Sequence, residues 1–193
     1  MKRLLLTISF VLSINALSAM PKLKVGDIIL LDLDCYSCQV IEDETNSRFS
    51  HSGVVISDGR ELYVAQSLSN VHHLKVNDFL RMTKKFIVKR PVVNIDRFKK
   101  YHWQVYKRNY YQLPFDYLYL WDDESLYCSE FIYKFMNALI DFKNFEVAPM
   151  DFSNNWNYWE DHFGTTPPQD MPGISPEDFN KSKDFKLIYD SVK

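Results

Sequence analysis

The sequence predicts an α+β domain in which an antiparallel β-sheet packs against helices. Strand-type segments come first and helical periodicities come later, without the βαβ alternation of a parallel sheet. Asp58-Gly59 separates two strand segments and is a strong turn signal for a β-hairpin. Late in the chain, apolar residues recur at the spacing of a helix that packs against a core: Phe131, Ile132, Phe135, Met136, Leu139 and Ile140.

The first half of the chain supplies most of the predicted sheet. The apolar run Ile28-Ile29-Leu30-Leu31 predicts a buried strand, and a loop from Asp32 to Cys38 leads into a helix-compatible stretch that ends near Thr45. Further strands are predicted at 50–57, 61–66 and 86–90, the last ended by Pro91.

Helices dominate the prediction after residue 94. Asn94 can cap a helix that carries Phe98 and Val105 and stops before Pro114. A second helix begins near Cys128. From Asn144 onward the chain is rich in proline and has no apolar period, which predicts a wrapping tail and not a second domain.

The N-terminus has the features of a secretory signal peptide over residues 1–19, followed by a single domain over residues 20–193. Lys2 and Arg3 precede an apolar segment, and Ala16-Leu17-Ser18-Ala19 offers small residues for cleavage after Ala19. An uncleaved membrane anchor is the alternative, although the apolar run is shorter than the ~20 residues of a membrane span. We therefore expect a periplasmic or secreted protein with no stable membrane span after cleavage.

Charge and cysteine count narrow the possible functions. Loss of Lys2 and Arg3 takes the formal charge from −2 to −4, which provides no basic field for nucleic acid. Cys35 and Cys38 are spaced for a local disulfide or two free thiols, and a redox motif or half of a metal site stays open. The sequence predicts no cofactor and no complete metal site, and it leaves the oligomeric state open.

Cys128 is the leftover cysteine and the candidate nucleophile. At the start of a helix, unpaired N–H groups and the helix dipole favour a thiolate, which is the attacking form in cysteine hydrolases. With Asp58-Gly59 as a two-residue turn, Ser57 pairs with Arg60 and His51 lies opposite Gln66.

Gln66 could then orient His51 toward a nucleophile, as the third member of a triad does. The other histidines carry no such signal: His72 and His73 are expected in a loop, His102 among aromatic residues and His162 in the tail.

An ordered set of short motifs resembles the permuted papain-like branch of the NlpC/P60 superfamily, the YiiX/YebB-like cysteine hydrolases. The set is Gly26-Asp27-Ile28, Ser50-His51-Ser52-Gly53-Val54-Val55, Val64-Ala65-Gln66, Phe115-Asp116-Tyr117 and Tyr127-Cys128-Ser129-Glu130. The resemblance runs from Val25 to about Tyr189 and implies a circularly permuted papain-like fold in which the His precedes the Cys.

The resemblance implies catalytic roles for three residues. Cys128 is the nucleophile, His51 the general base and Gln66 the third polar residue. The third position is often Glu in this branch, and Ser52 replaces the more usual valine after the His. Gln can orient His51 but cannot stabilise an imidazolium by charge.

Three functions follow as hypotheses. The first is an exported hydrolase of peptide or amino-acyl amides, with cell-wall peptides the favoured class; the Cys128 N–H and the Asp32–Cys38 loop would supply oxyanion donors. The second is a lipid acyl hydrolase or acyltransferase that uses the same thiol. The third is a non-catalytic protein that binds a ligand in a retained cleft.

Overall fold

An antiparallel sheet forms the centre of the molecule. The computed structural model describes residues 20–192, so the predicted signal peptide lies outside the described residues. The sheet strands are β1 Ile28–Leu31, β2 His51–Ser57, β3 Leu62–Leu68, β4 Asn70–Lys75, β5 Phe86–Pro91 and β8 Phe185–Asp190. They lie side by side in the order β4-β3-β2-β1-β5-β8. A separate short ladder pairs β6 Ala148–Pro149 with β7 Pro172–Gly173.

Helices surround this sheet, which confirms the predicted α+β class. They are α1 Tyr36–Glu44, α2 Val76–Leu80, α3 Asp96–Val105, α4 Cys128–Asn137, α5 Trp156–Phe163 and α6 Pro176–Lys181. A π-helical turn, Tyr106–Tyr110, continues α3. Across residues 20–192, no helix combines the length and the apolar character that crossing a membrane requires.

The two faces of the sheet bury different clusters. On one face, the predicted stripe of α4 packs against β2 and β3, and Phe131, Phe135 and Met136 are fully buried. On the other face, Phe79 of α2 packs with Val55 and Val64. Because α4 is anchored along its length, its first residue is held at a fixed place beside β2.

The hairpin between β2 and β3 differs from the predicted register. Ser57 pairs with Leu62, so the turn has four residues, and the pairing of Ser57 with Arg60 was wrong by two positions. The Asp58 carboxylate accepts hydrogen bonds from the N–H groups of Arg60 (2.8 Å) and Glu61 (2.9 Å), which stabilises the longer turn.

This two-residue shift preserves the side of the sheet on which each side chain lies. His51 is therefore not directly opposite Gln66, as predicted, but two positions away on the same face. A shift of one residue would have placed the two side chains on opposite faces. His51 and Gln66 are therefore neighbours on the sheet, although the predicted register was wrong.

His72 and His73 lie on a strand, so their assignment to a loop was wrong. They belong to β4, which pairs with β3 and places His72 beside Gln66. Ser69 makes the connecting turn at a φ of 65°, in the left-handed region that sequence patterns associate with Gly or Asn. A turn without those residues gives no hairpin signal.

The C-terminal tail is more than a wrapping loop. It contributes α5, α6 and the edge strand β8, which pairs with β5. Phe145, Phe179 and Phe185 from this segment join the main core. These elements are short and their aromatic residues follow no regular period, so the sequence did not reveal them.

Candidate active site

The start of α4 places Cys128 at the first helical position, as predicted. Tyr127 precedes it in an extended conformation (φ −81°, ψ 172°). Cys128 is buried and carries no disulfide. The Ile174 N–H donates to the Tyr127 hydroxyl (3.0 Å), and the Ser129 hydroxyl donates to the Ile174 carbonyl (2.7 Å). The tail therefore clamps the first turn of the helix that carries Cys128.

His51 begins β2 and is held by Gln66 of β3. Its Nε2 lies 2.6 Å from Gln66 Oε1, and both side chains are almost fully buried. Because Nε2 is occupied by Gln66, Nδ1 is the ring nitrogen left for Cys128. The structure thus brings together the three residues that the sequence singled out.

The charges of Cys128 and His51 support one another. Burial lowers the pKa of His51, but the hydrogen bond and charge of Cys128 and the hydrogen bond of Gln66 outweigh it, so the pKa is raised above 6.5. Burial raises the pKa of the Cys128 thiol, but the hydrogen bond and charge of His51 outweigh it, so the pKa is lowered from 9.0. Both shifts favour a thiolate–imidazolium pair.

Ser52 is a further polar neighbour of the thiol. The hydroxyls of Ser52 and Ser129 both contribute to the lowered pKa of Cys128. The single hydroxyl proton of Ser129 already goes to the Ile174 carbonyl. The buried Ser52 hydroxyl has no hydrogen-bond partner among the described residues, so its proton remains available to the thiolate.

Gly53 allows a close approach beside His51. A Cβ at this position would lie 2.7 Å from Cζ of Phe79 and would also overlap Val64. The Phe79 ring in turn packs against the His51 imidazole, with 6.0 Å between ring centroids. Gly53 therefore leaves room for the Phe79 ring to pack against His51.

A cleft of about 510 Å³ opens beside Cys128 and His51. The predicted Asp32–Cys38 loop contributes to its wall, and there Cys35 and Cys38 form a disulfide at the start of α1. Most of the cleft is apolar or aromatic, with side chains from Leu33, Ile41, Leu68, Phe115, Tyr117, Tyr119, Met150, Phe152, Tyr158, Trp159 and Ile174. His162 also lines the cleft, whereas His102 is buried against α3 carbonyls.

This arrangement defines a class of protein: a papain-like thiol hydrolase in which the histidine strand precedes the cysteine helix along the chain. The chain belongs to the family described as permuted papain-like amidase enzymes, YaeF/YiiX, C92 family, whose model matches residues 22–189. The predicted family and fold are confirmed, and the chain is a papain-like cysteine hydrolase. Membership in an amidase family does not support the non-catalytic alternative.

Two relatives agree with this placement. The chain is 25% identical over 142 residues to the uncharacterized protein YiiX of Escherichia coli strain K12, covering 72% of this chain and 69% of that protein. The crystal structure of yiiX from Escherichia coli O157:H7 superimposes with a TM-score of 0.78 at 20% identity, covering 86% of this chain and 97% of that chain. At 20% identity, the similarity to this crystal structure concerns the fold alone.

The yiiX protein of that crystal structure is described as a metalloprotein. Within residues 20–192 of this chain, no three His, Cys, Asp or Glu side chains are grouped so that they could hold a metal ion. The donor set of a metal site is thus not present among the described residues.

Proposed function

We propose that the protein is an exported cysteine amidase that acts through Cys128, His51 and Gln66. The observation that carries the proposal is the buried pair formed by Cys128 and His51, whose pKa values are shifted in opposite directions. Gln66 holds the far side of the imidazole at 2.6 Å. A cysteine activated by an adjacent base that is oriented by a third group is the arrangement of nucleophilic catalysis.

The reaction takes two steps. Cys128 Sγ attacks the carbonyl carbon of the amide while His51 holds the thiol proton, and the tetrahedral intermediate collapses to a thioester as His51 protonates the leaving amine. Water then attacks the thioester, His51 accepts a proton from the water, and the thiol is regenerated as the carboxylic acid leaves.

Oxyanion stabilisation is assigned to the start of α4. The Cys128 N–H belongs to the first helical turn, where backbone donors lack intrahelical partners. For the second donor we propose the Asp32–Cys38 loop, because its residues Leu33, Cys35, Ser37 and Cys38 line the same cleft.

Export is supported by the signal-type sequence of residues 1–19 and by the Cys35–Cys38 disulfide. Disulfides persist mainly in oxidising compartments such as the periplasm or the extracellular space. In an envelope compartment, cell-wall peptides and other amino-acyl amides are the substrates that we propose. The formal charge of −4 after cleavage argues against a nucleic-acid partner.

Thiol labelling with hydrolysis assays tests the proposal. We expect iodoacetamide at neutral pH to modify Cys128 faster in the folded protein than in the same protein unfolded in urea, with the site mapped by mass spectrometry. Cys128→Ala should abolish cleavage of peptide amides and retain the fold. Full amidase activity in Cys128→Ala would contradict the assignment.

The apolar cleft favours a second candidate, a lipid acyl hydrolase or acyltransferase that uses the same thiol. Aromatic and aliphatic side chains dominate the lining and could accommodate an acyl chain. Release of fatty acid from phospholipid vesicles, without cleavage of peptide amides, would select this candidate. Both activities require Cys128, so only the substrate separates them.

A further inference from the structure

Gln66 differs from a carboxylate because its amide has one accepting end and one donating end. Its Oε1 lies 2.6 Å from Nε2 of His51, and its Nε2 lies 3.0 Å from Nε2 of His72. A glutamate would accept hydrogen bonds at both ends, whereas a glutamine must be turned the correct way round. Something in the structure therefore has to set the orientation of this amide.

His72 supplies that orientation from the neighbouring strand. Its Nδ1 lies 2.9 Å from the main-chain oxygen of Asn70 and 3.0 Å from the Asn70 side-chain oxygen. A main-chain oxygen can only accept, so Nδ1 of His72 carries a hydrogen. In the neutral ring, Nε2 then has a free lone pair and must accept from the Gln66 amide.

The orientation of the Gln66 amide determines which ring nitrogen of His51 carries the hydrogen. With its NH₂ group donating to His72, Gln66 presents Oε1 to His51, so Nε2 of His51 must donate. The neutral His51 ring then has its lone pair on Nδ1, the nitrogen left for the Cys128 thiol. In the reversed amide orientation, Nδ1 would carry the hydrogen and could not take a proton from Cys128.

We propose that His72 is a positioning residue that fixes the amide of Gln66 and, through it, the catalytic tautomer of His51. Asn70 anchors this chain of hydrogen bonds, and its side-chain nitrogen is directed to Gln112 (3.1 Å), which leaves its oxygen for His72. The role of this chain in catalysis rests on the proposed function. The order of donors and acceptors itself is independent of any substrate.

Nitrogen chemical shifts of the histidine side chains test the tautomers directly. In Cys128→Ala, where no thiolate charges His51, long-range ¹H–¹⁵N spectra above the titration of His51 should show hydrogen on Nε2 of His51 and on Nδ1 of His72. In Cys128→Ala/His72→Leu, we expect His51 to become a mixture of tautomers. Hydrogen on Nδ1 of His51 in Cys128→Ala, or an unchanged spectrum of His51 after loss of His72, would overturn the proposal.

Kinetics of variants at position 72 provide the functional test. His72→Leu should lower kcat/KM by about three- to tenfold, the contribution of one neutral hydrogen bond to an equilibrium. His72→Lys, which can only donate, should lose more because it turns the amide round. His72→Glu, which can only accept at neutral pH, should lose less than His72→Leu.

The Gln66→Glu background distinguishes an effect of hydrogen-bond direction at position 72 from an effect of charge. A glutamate has no donating end, so in this background we expect His72→Lys to be more active than His72→Glu, which reverses the order. The same order in both backgrounds would show that position 72 acts through charge or stability, and would refute the proposed role.

His73→Gln is the matched control on the same strand, because Nδ1 of His73 contacts the Tyr106 hydroxyl (3.1 Å) and not Gln66. It should leave the tautomer of His51 unchanged, and a change there would count against a specific role for His72. If amidase activity is never found, the tautomer experiment still decides the inference, so the failure of the two proposals can be told apart.

Discussion

Two walls of the cleft are built differently. The catalytic wall consists of Cys128 and His51, which line the cleft, together with Gln66, which is buried behind His51; these residues are 9%, 3% and 1% exposed, respectively. The tail wall consists of residues 148–152, Tyr158, Trp159, His162 and 173–178, which line the cleft from the C-terminal segment. The catalytic wall is fixed by short polar contacts, whereas ring packing dominates in the tail wall, where Trp159 stacks on Phe163 and contacts Phe152 edge-on.

This difference assigns reactivity to the catalytic wall and substrate selection to the tail wall. Hydrogen bonds are directional, so small displacements of His51 or Gln66 change the protonation of Cys128. Apolar contacts tolerate changes of shape more readily, so the tail wall can vary while chemistry is preserved. Mutations on the catalytic wall should therefore change kcat, and mutations on the tail wall should change KM.

The largest effect is expected for His51→Ala. Without the imidazole, Cys128 loses both its proton acceptor and the interaction that lowers its pKa, so kcat/KM should fall by about 10²–10⁴-fold. Iodoacetamide labelling of Cys128 at neutral pH should slow in parallel. Gln66→Ala should lower kcat/KM and slow the labelling less than His51→Ala does, because the hydrogen bond of Gln66 contributes to the raised pKa of His51. If Cys128 is labelled as fast in His51→Ala as in wild type, His51 does not activate the thiol.

A stability effect is expected at Glu130, two residues after Cys128. Burial raises the pKa of Glu130 from 4.5 to about 8, although Lys134 Nζ lies 3.0 Å away and opposes the shift. The folded protein therefore binds this proton more tightly than the unfolded chain, and the free energy of unfolding falls as pH rises from 4.5 to about 8.

Glu130→Gln removes this titration and keeps an acceptor for the Tyr127 N–H, which Glu130 accepts at 3.3 Å. In urea titrations, wild type and variant should match near pH 4, below the pKa of 4.5 of the unfolded chain, where Glu130 is protonated in both states. Near pH 8 the variant should be more stable by roughly 2–4 kcal/mol. A difference that does not depend on pH would show that burial of Glu130 does not set the pH dependence of the free energy of unfolding.

The catalytic wall was predictable from the sequence to a large extent. The apolar period after Cys128 is long enough to define α4, and Asp58-Gly59 marks the hairpin that carries His51 and Gln66. The register was wrong by two positions, but an even shift keeps both side chains on one face.

Other parts of the site could not be predicted because their signals are not local. His72 lies on a polar strand after a turn without glycine, and its partner is set by pairing with β3. The tail wall depends on contacts between distant segments, such as the docking of Ile174 on Tyr127 and Ser129. Short elements with irregular aromatic spacing carry no period from which such docking could be inferred.

The smallest predicted effect tests the tail wall. Tyr158 is half-buried, and its ring contacts Tyr36 edge-on at 5.5 Å across the cleft margin. Tyr158→Ala removes apolar surface from the cleft without touching Cys128 or His51, so KM should rise about three- to tenfold while kcat stays within about twofold of the wild-type value.

The control for Tyr158→Ala is Tyr101→Ala, which removes a tyrosine that is 38% exposed on α3 and does not line the cleft. It should leave both kinetic constants unchanged, so a rise in KM only for Tyr158→Ala would locate substrate binding on the tail wall. A fall in kcat for Tyr158→Ala with KM unchanged would mean that the tail also sets the geometry of Cys128. In that case the clamp of Ile174 on the first turn of α4, and not the aromatic lining, would be the main contribution of the tail, and the two walls would act as one.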